Sequence, residues 1–102
     1  MLYKVEAKFY KDKLPAFFKA LNDGSIENQK PDGSTMHKAI QEAIMIDSEN
    51  LAWYEVCYCA TPLKHERETV YDRYLYEMQT TLVDAVKDDL HGASFWEYME
   101  KM

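Results

Sequence analysis

Two cysteines stand two residues apart, Cys57 and Cys59, with Glu55 just before them and His65 just after. Thiolates and imidazole are ligand types for zinc or copper, and a cysteine near a histidine is a nucleophile–base combination. The spacing argues against a structural zinc site, which takes a C-x₂₋₄-C pair and a second, distant pair. Only one histidine follows closely and no second cysteine pair exists, so we expect no metal. A Cys57 or Cys59 nucleophile paired with His65 lacks anything to hold the thiolate: no helix N-terminus is aimed at it, and Lys4 or Lys8 is its only plausible cationic neighbour. His65 lies three, four and seven residues before Glu68, Thr69 and Asp72, so on a helix these four share a face with Glu66 and Arg67 close by. A histidine beside carboxylates is an acid–base unit, and the same spacing also describes an ordinary solvated helix surface. The candidate catalytic residues are therefore His65, Cys57, Cys59 and Asp72, and the cofactor is left open.

The thiols are read as reduced. Residues two apart on a strand point the same way with their Cβ atoms roughly 6.5–7 Å apart, at a rise of about 3.3 Å per residue. A disulfide needs about 3.8 Å. Free thiols fit a reducing compartment, and the N-terminal residues lack a basic segment followed by an apolar one, so a cytoplasmic location is expected. No run of 18 apolar residues occurs, which gives no membrane span. The 18 acidic residues outnumber 12 basic ones, for a formal charge of −6, and nowhere do Lys and Arg gather. Nucleic acids and anionic membrane surfaces, which recruit clustered cations, are disfavoured as partners.

With 102 residues, 47% of them apolar, the chain suits one domain, 1–102, with one core. Residues 2–10 alternate, placing Tyr3, Val5, Ala7 and Phe9 on one face and Lys4, Glu6 and Lys8 on the other, a half-buried strand. Leu14, Phe17, Phe18 and Leu21 make a helical stripe over 13–23, with Pro15 in the first turn and Gly24 beyond the end. Pro31-Asp32-Gly33-Ser34 is a turn. Residues 36–46 fit a strand or a helix; the polar loop Asp47–Asn50 and the aromatic run Leu51–Ala60 favour two strands joined by a hairpin. In the second of these Tyr54, Val56 and Tyr58 are assigned to one face and Trp53, Glu55, Cys57 and Cys59 to the other. Thr61-Pro62 opens a helix. Residues 77–86 read as a strand, since Thr80-Thr81-Leu82-Val83 favours extended backbone. Ser94 and Glu97 form a capping box before a terminal helix, Phe95–Lys101.

The order β-α-β-β-α-β is the ferredoxin-like arrangement, an antiparallel sheet with its helices on one face, here plus a short C-terminal helix. Its other face would carry Lys4, Glu6 and Lys8 beside Trp53, Glu55, Cys57 and Cys59. Burying a tryptophan and two thiols favours pairing of two such faces, which makes a homodimer enclosing a polar cavity. Lys4, Lys8, Trp53, Glu55 and Cys57 are the candidate binding residues for a small polar ligand, and the function expected is a ligand-binding or regulatory module.

The segment from Glu55 through Cys57-Tyr58-Cys59 and Pro62-Leu63-Lys64-His65-Glu66-Arg67 to Asp72 resembles a stretch found in a group of small bacterial proteins. The turn Gln29–Gly33 and the ending Phe95-Trp96-Glu97-Tyr98 are similar too. The overall pattern also resembles dimeric α+β barrel proteins, which include small monooxygenases, haem-related enzymes and ligand-sensing domains. That resemblance implies sheet-to-sheet dimers. It supplies the alternative function, a small enzyme working through His65, Cys57 or Cys59.

Overall fold

The computed structural model describes residues 1–102. The chain is an α+β protein built on a five-stranded antiparallel sheet. The first strand, β1, is Leu2–Phe9, and helix α1 is Leu14–Asn22, entered through a tight turn at Lys11–Lys13. Helix α2 is Gly33–Glu42, and β2 is only Ile44–Met45. Then come β3, Asn50–Val56, and a helical stretch α3 over 64–74, followed by β4, Leu75–Val83. A short β5, Ala93–Ser94, leads into α4, Phe95–Glu100. The strand order is β4-β1-β3-β2-β5.

The expected strand over 36–46 is corrected: 33–42 is helical and only two residues after it join the sheet. Met36, Ala39, Ile40 and Ala43 bury one side, the three- and four-residue spacing of a helix. The expected strand over 77–86 is present, begins at Leu75 and ends at Val83. The terminal helix has its Ser94 cap, whose Oγ accepts from the Glu97 amide at 3.2 Å. The helix expected from Thr61-Pro62 starts at Lys64 instead, because Leu63 takes a left-handed conformation (φ 56°) and breaks the run.

A second correction concerns the faces of β3. The register pairs Tyr3 with Glu55, Val5 with Trp53 and Ala7 with Leu51, so these residues share the helix-covered face. Lys4, Glu6 and Lys8 lie opposite Tyr54, Ala52 and Asn50 on the outer face. Trp53, Glu55 and Cys57 therefore do not join Lys4 and Lys8. The reason is area: strand side chains alternate, so a one-residue choice moves the whole set. Burying Leu51 and the large Trp53 removes more apolar surface from water than burying Tyr54, whose hydroxyl stays outside. Glu55 is carried inward as a consequence of that parity.

The outer face is itself partly covered. β4 and β5 occupy opposite edges of the sheet, so the 84–92 connection has to cross it. Asp89 is anchored there, accepting from Lys4 Nζ at 3.0 Å and from the Tyr54 hydroxyl at 2.6 Å. Beneath the helices lies one apolar cluster centred on Phe17, Phe95, Trp53 and Tyr71, with Leu14, Leu21, Met36 and Ile40 around them.

The start of α2 sits hard against the preceding loop. A Cβ on Gly33 would meet the Ile26 carbonyl oxygen at 2.1 Å and that of Glu27 at 2.9 Å, both backbone atoms. Gly33→Ala must therefore push the helix outward, and a loss of about 1–3 kcal/mol is expected in urea unfolding. Natural stability in that variant would show that α2 does not pack against this loop.

Candidate functional site

The site grows out of the short β2. Only Ile44 and Met45 pair with β3, opposite Ala52 and Leu51, so the β3 edge from Trp53 to Val56 has no strand beside it. The residues that would have extended β2 along it, 40–42, belong to helix α2 instead. Between α2, the β3 edge and the 84–92 connection is a cavity of about 700 Å³. Leu2, Ala39, Ile44, Trp53, Val86 and Leu90 give it an apolar lining; Ser34, Thr35, Lys38, Glu55 and Lys87 give it polar groups.

Glu55 is 1% exposed. Its Oε1 accepts from the Trp53 indole N–H at 2.8 Å and from the Tyr71 hydroxyl at 2.6 Å. Its Oε2 is buried with no partner. Burial pushes this carboxyl up to about 7; the Tyr71 and Trp53 donors oppose the rise, and the charges of Glu66 and Asp32 add to it. The same surroundings raise the Tyr71 hydroxyl well above its ordinary value, burial first and the Glu55 charge next, so it remains a donor.

A second cavity, about 340 Å³, opens where β3 runs into α3, and shares Thr35 and Val56 with the first. Asp32, Cys57, Cys59, His65 and Glu66 line it. Asp32 Oδ2 meets His65 Nδ1 at 2.7 Å, which raises the imidazole pKa; the other Asp32 oxygen is buried without a partner. Glu66 is 1% exposed, and the Cys59 thiol donates to its Oε1 at 3.5 Å. The Cys59 amide in turn donates to Cys57 Sγ at 3.2 Å. Burial pushes the Cys57 thiol up to about 12, which favours its protonated form.

The wide turn within α3 makes this possible. Residues Arg67–Tyr71 form a π-helical turn, bonded at a five-residue spacing. Five residues make about 1.4 turns of α-helix, which would send Glu66 and Tyr71 to different sides. In the wider turn both face the sheet, and both are buried.

Of the residues picked out by sequence, Cys57, Cys59 and His65 come together at the second cavity, and Trp53 and Glu55 at the first. Lys4 and Lys8 lie on the outer face with Asp89 and Glu77. Asp72 is exposed beside Arg67 at 3.8 Å, away from His65. From sequence Asp32 is only a turn residue and Glu66 only a neighbour of the His65 helix face, and nothing there singles out Tyr71 as a site residue. A cue for Asp32 existed: it occupies the N-cap position of α2 without capping it, its carboxylate being turned to His65.

The molecule so defined is an α+β protein with two adjoining cavities at the free edge of its sheet, one around a buried glutamate and one around thiols, carboxylates and an imidazole. No family model, curated protein or solved structure was found to match the chain. No helix is long and apolar enough to cross a membrane.

Proposed function

We propose that this protein is a small-ligand-binding module whose site is the cavity at the free edge of β3. The ligand has an apolar body that fits against Trp53, Ile44 and Leu90 and a hydrogen-bonding group directed to Glu55. The observation that carries this reading is the buried Oε2 of Glu55, left without a partner in a residue lining the roomiest concavity of the fold. A buried polar atom without a partner costs roughly 1–3 kcal/mol, which a bound hydroxyl or amine would offset. A mostly apolar pocket with a few convergent polar groups and a perturbed carboxyl is the general form of a small-molecule site.

The fold reading behind it is that β1 to β4 are a ferredoxin-like core. The order β4-β1-β3-β2 with every neighbour antiparallel supports it, β5 and the long α2 then being additions. Homodimerisation through the outer face is a separate proposal. The part of that face left by the 84–92 connection carries Glu6, Gln79 and Thr81, and the mass in solution tests it without touching the cavity.

A fragment library screened by amide and indole chemical shifts tests the ligand site. Binders should move the Trp53 indole and the amides of Ala39, Val86 and Leu90, and Glu55→Gln should weaken them at least tenfold. Binders that shift only outer-face residues such as Gln79 and Thr81, or that ignore Glu55→Gln, would refute the assignment.

A further inference from the structure

The second cavity has a composition that the ligand reading does not use. Its lining holds two thiols, from Cys57 and Cys59, and two carboxylates, from Asp32 and Glu66; His65 is its only basic side chain, with no lysine or arginine. Buried anionic groups need a counter-charge or a metal. Glu66, at 1% exposure, has only a thiol 3.5 Å away as a donor, a weak partner for a carboxylate. One oxygen of Asp32 has no partner at all.

The geometry points to a binding site for one thiophilic divalent cation of the zinc type, held by Cys57 Sγ, Cys59 Sγ and a Glu66 carboxylate oxygen. The three ligand atoms lie within 4.8 Å of one another. A tetrahedral ion with Zn–S of about 2.3 Å and Zn–O of about 2.0 Å places sulfur and oxygen ligands about 3.5 Å apart. Cys59 Sγ and Glu66 Oε1 are 3.5 Å apart already. The Cys59 amide donating to Cys57 Sγ is the kind of outer hydrogen bond that orients a metal-bound sulfur. Three protein ligands leave the fourth position toward the cavity, open to water or a ligand. The Asp32–His65 pair flanks it, since Asp32, His65 and Glu66 also approach within 4.8 Å of one another. Binding releases both thiol protons to solvent, so affinity rises with pH.

Sequence spacing weighed against a metal because Cys57 and Cys59 have no second pair. Glu66 supplies one ligand in place of that pair, and only the fold turns it inward. This inference stands apart from the edge cavity and survives if no small ligand binds there.

Cobalt titration of protein purified without a metal-binding tag, under reducing and oxygen-free conditions, tests the site. One equivalent should bring up the thiolate-to-cobalt charge-transfer band and the strong visible bands of a tetrahedral ion, and zinc should bleach them. Cys59→Ser and Glu66→Gln should each bind at least tenfold more weakly while keeping the natural circular dichroism. If those variants lose the fold, alkylation of the natural protein decides: zinc must protect both thiols. Absence of the charge-transfer band, undiminished affinity in a folded Cys59→Ser, or thiols equally reactive with and without zinc would each overturn the site.

Discussion

Glu55→Gln is expected to be more stable than the natural protein at pH 8, by up to about 3 kcal/mol, and equal to it near pH 4. The carboxyl sits at about 7 in the folded chain against an ordinary value of 4.5. A raised carboxyl favours folding only while it is protonated. Its contribution is full below pH 4.5, falls as pH climbs from there to 7, and levels off above. Glutamine imitates the protonated acid: its amide oxygen accepts from Trp53 and Tyr71, and its NH₂ replaces the O–H that has no acceptor. The variant should therefore lack this slope. His65 contributes in the opposite sense to Asp/Glu groups of lowered pKa: its raised value stabilises at low pH and fades as pH rises, equally in both proteins. The difference between two urea-unfolding series from pH 4 to 8 isolates Glu55. Parallel curves would mean that the carboxylate is ionised throughout and that water reaches it.

Much of the fold was legible where one periodicity dominated. Tyr3, Val5, Ala7 and Phe9 can only be a half-buried strand, and Leu14, Phe17 and Leu21 only a helix stripe. The segment 36–46 was not legible because Ile40, Ile44 and Ile46 alternate as a strand would while Met36, Ile40, Ala43 and Ile44 fit a helix. Tertiary packing decided it: as a helix, Met36, Ala39 and Ile40 fill the space over β3, and only 44–45 remain to pair. That single choice creates the edge cavity, since a full strand there would have covered Trp53–Val56.

The site was half legible. Residue types at Cys57, Cys59 and His65 drew attention to one end of β3, where the three do line one cavity, while Glu55 and Trp53, which line the other, were assigned to the outer face and lie on the inner one. Alternation shows that two faces differ; it does not say which is buried when each carries aromatics. Glu66 and Tyr71 were hidden for another reason. A helix wheel at 3.6 residues per turn separates them, and nothing in Arg67–Tyr71 announces a wider turn. Asp32 was hidden because it meets His65 across 33 residues of chain.

Trp53→Ala should cost about 3–5 kcal/mol, a large share of the total stability of a domain this size. The indole is 1% exposed and packs on the Tyr71 ring with centroids 5.5 Å apart. Its removal deletes apolar area, leaves a void continuous with the edge cavity, and takes one of two donors from Glu55. Trp53→Phe keeps most of the packing around Glu55 and loses the donor, which favours the ionised acid, so its smaller loss should be greater at pH 8 than at pH 5. Because the void has the shape and polarity of the deleted side chain, free indole should raise the Tm of Trp53→Ala by more than that of the natural protein. Thermal scans with and without indole check this. A variant that indole does not rescue has collapsed around the missing ring, and the edge cavity would then be a flexible cleft in place of a preformed site.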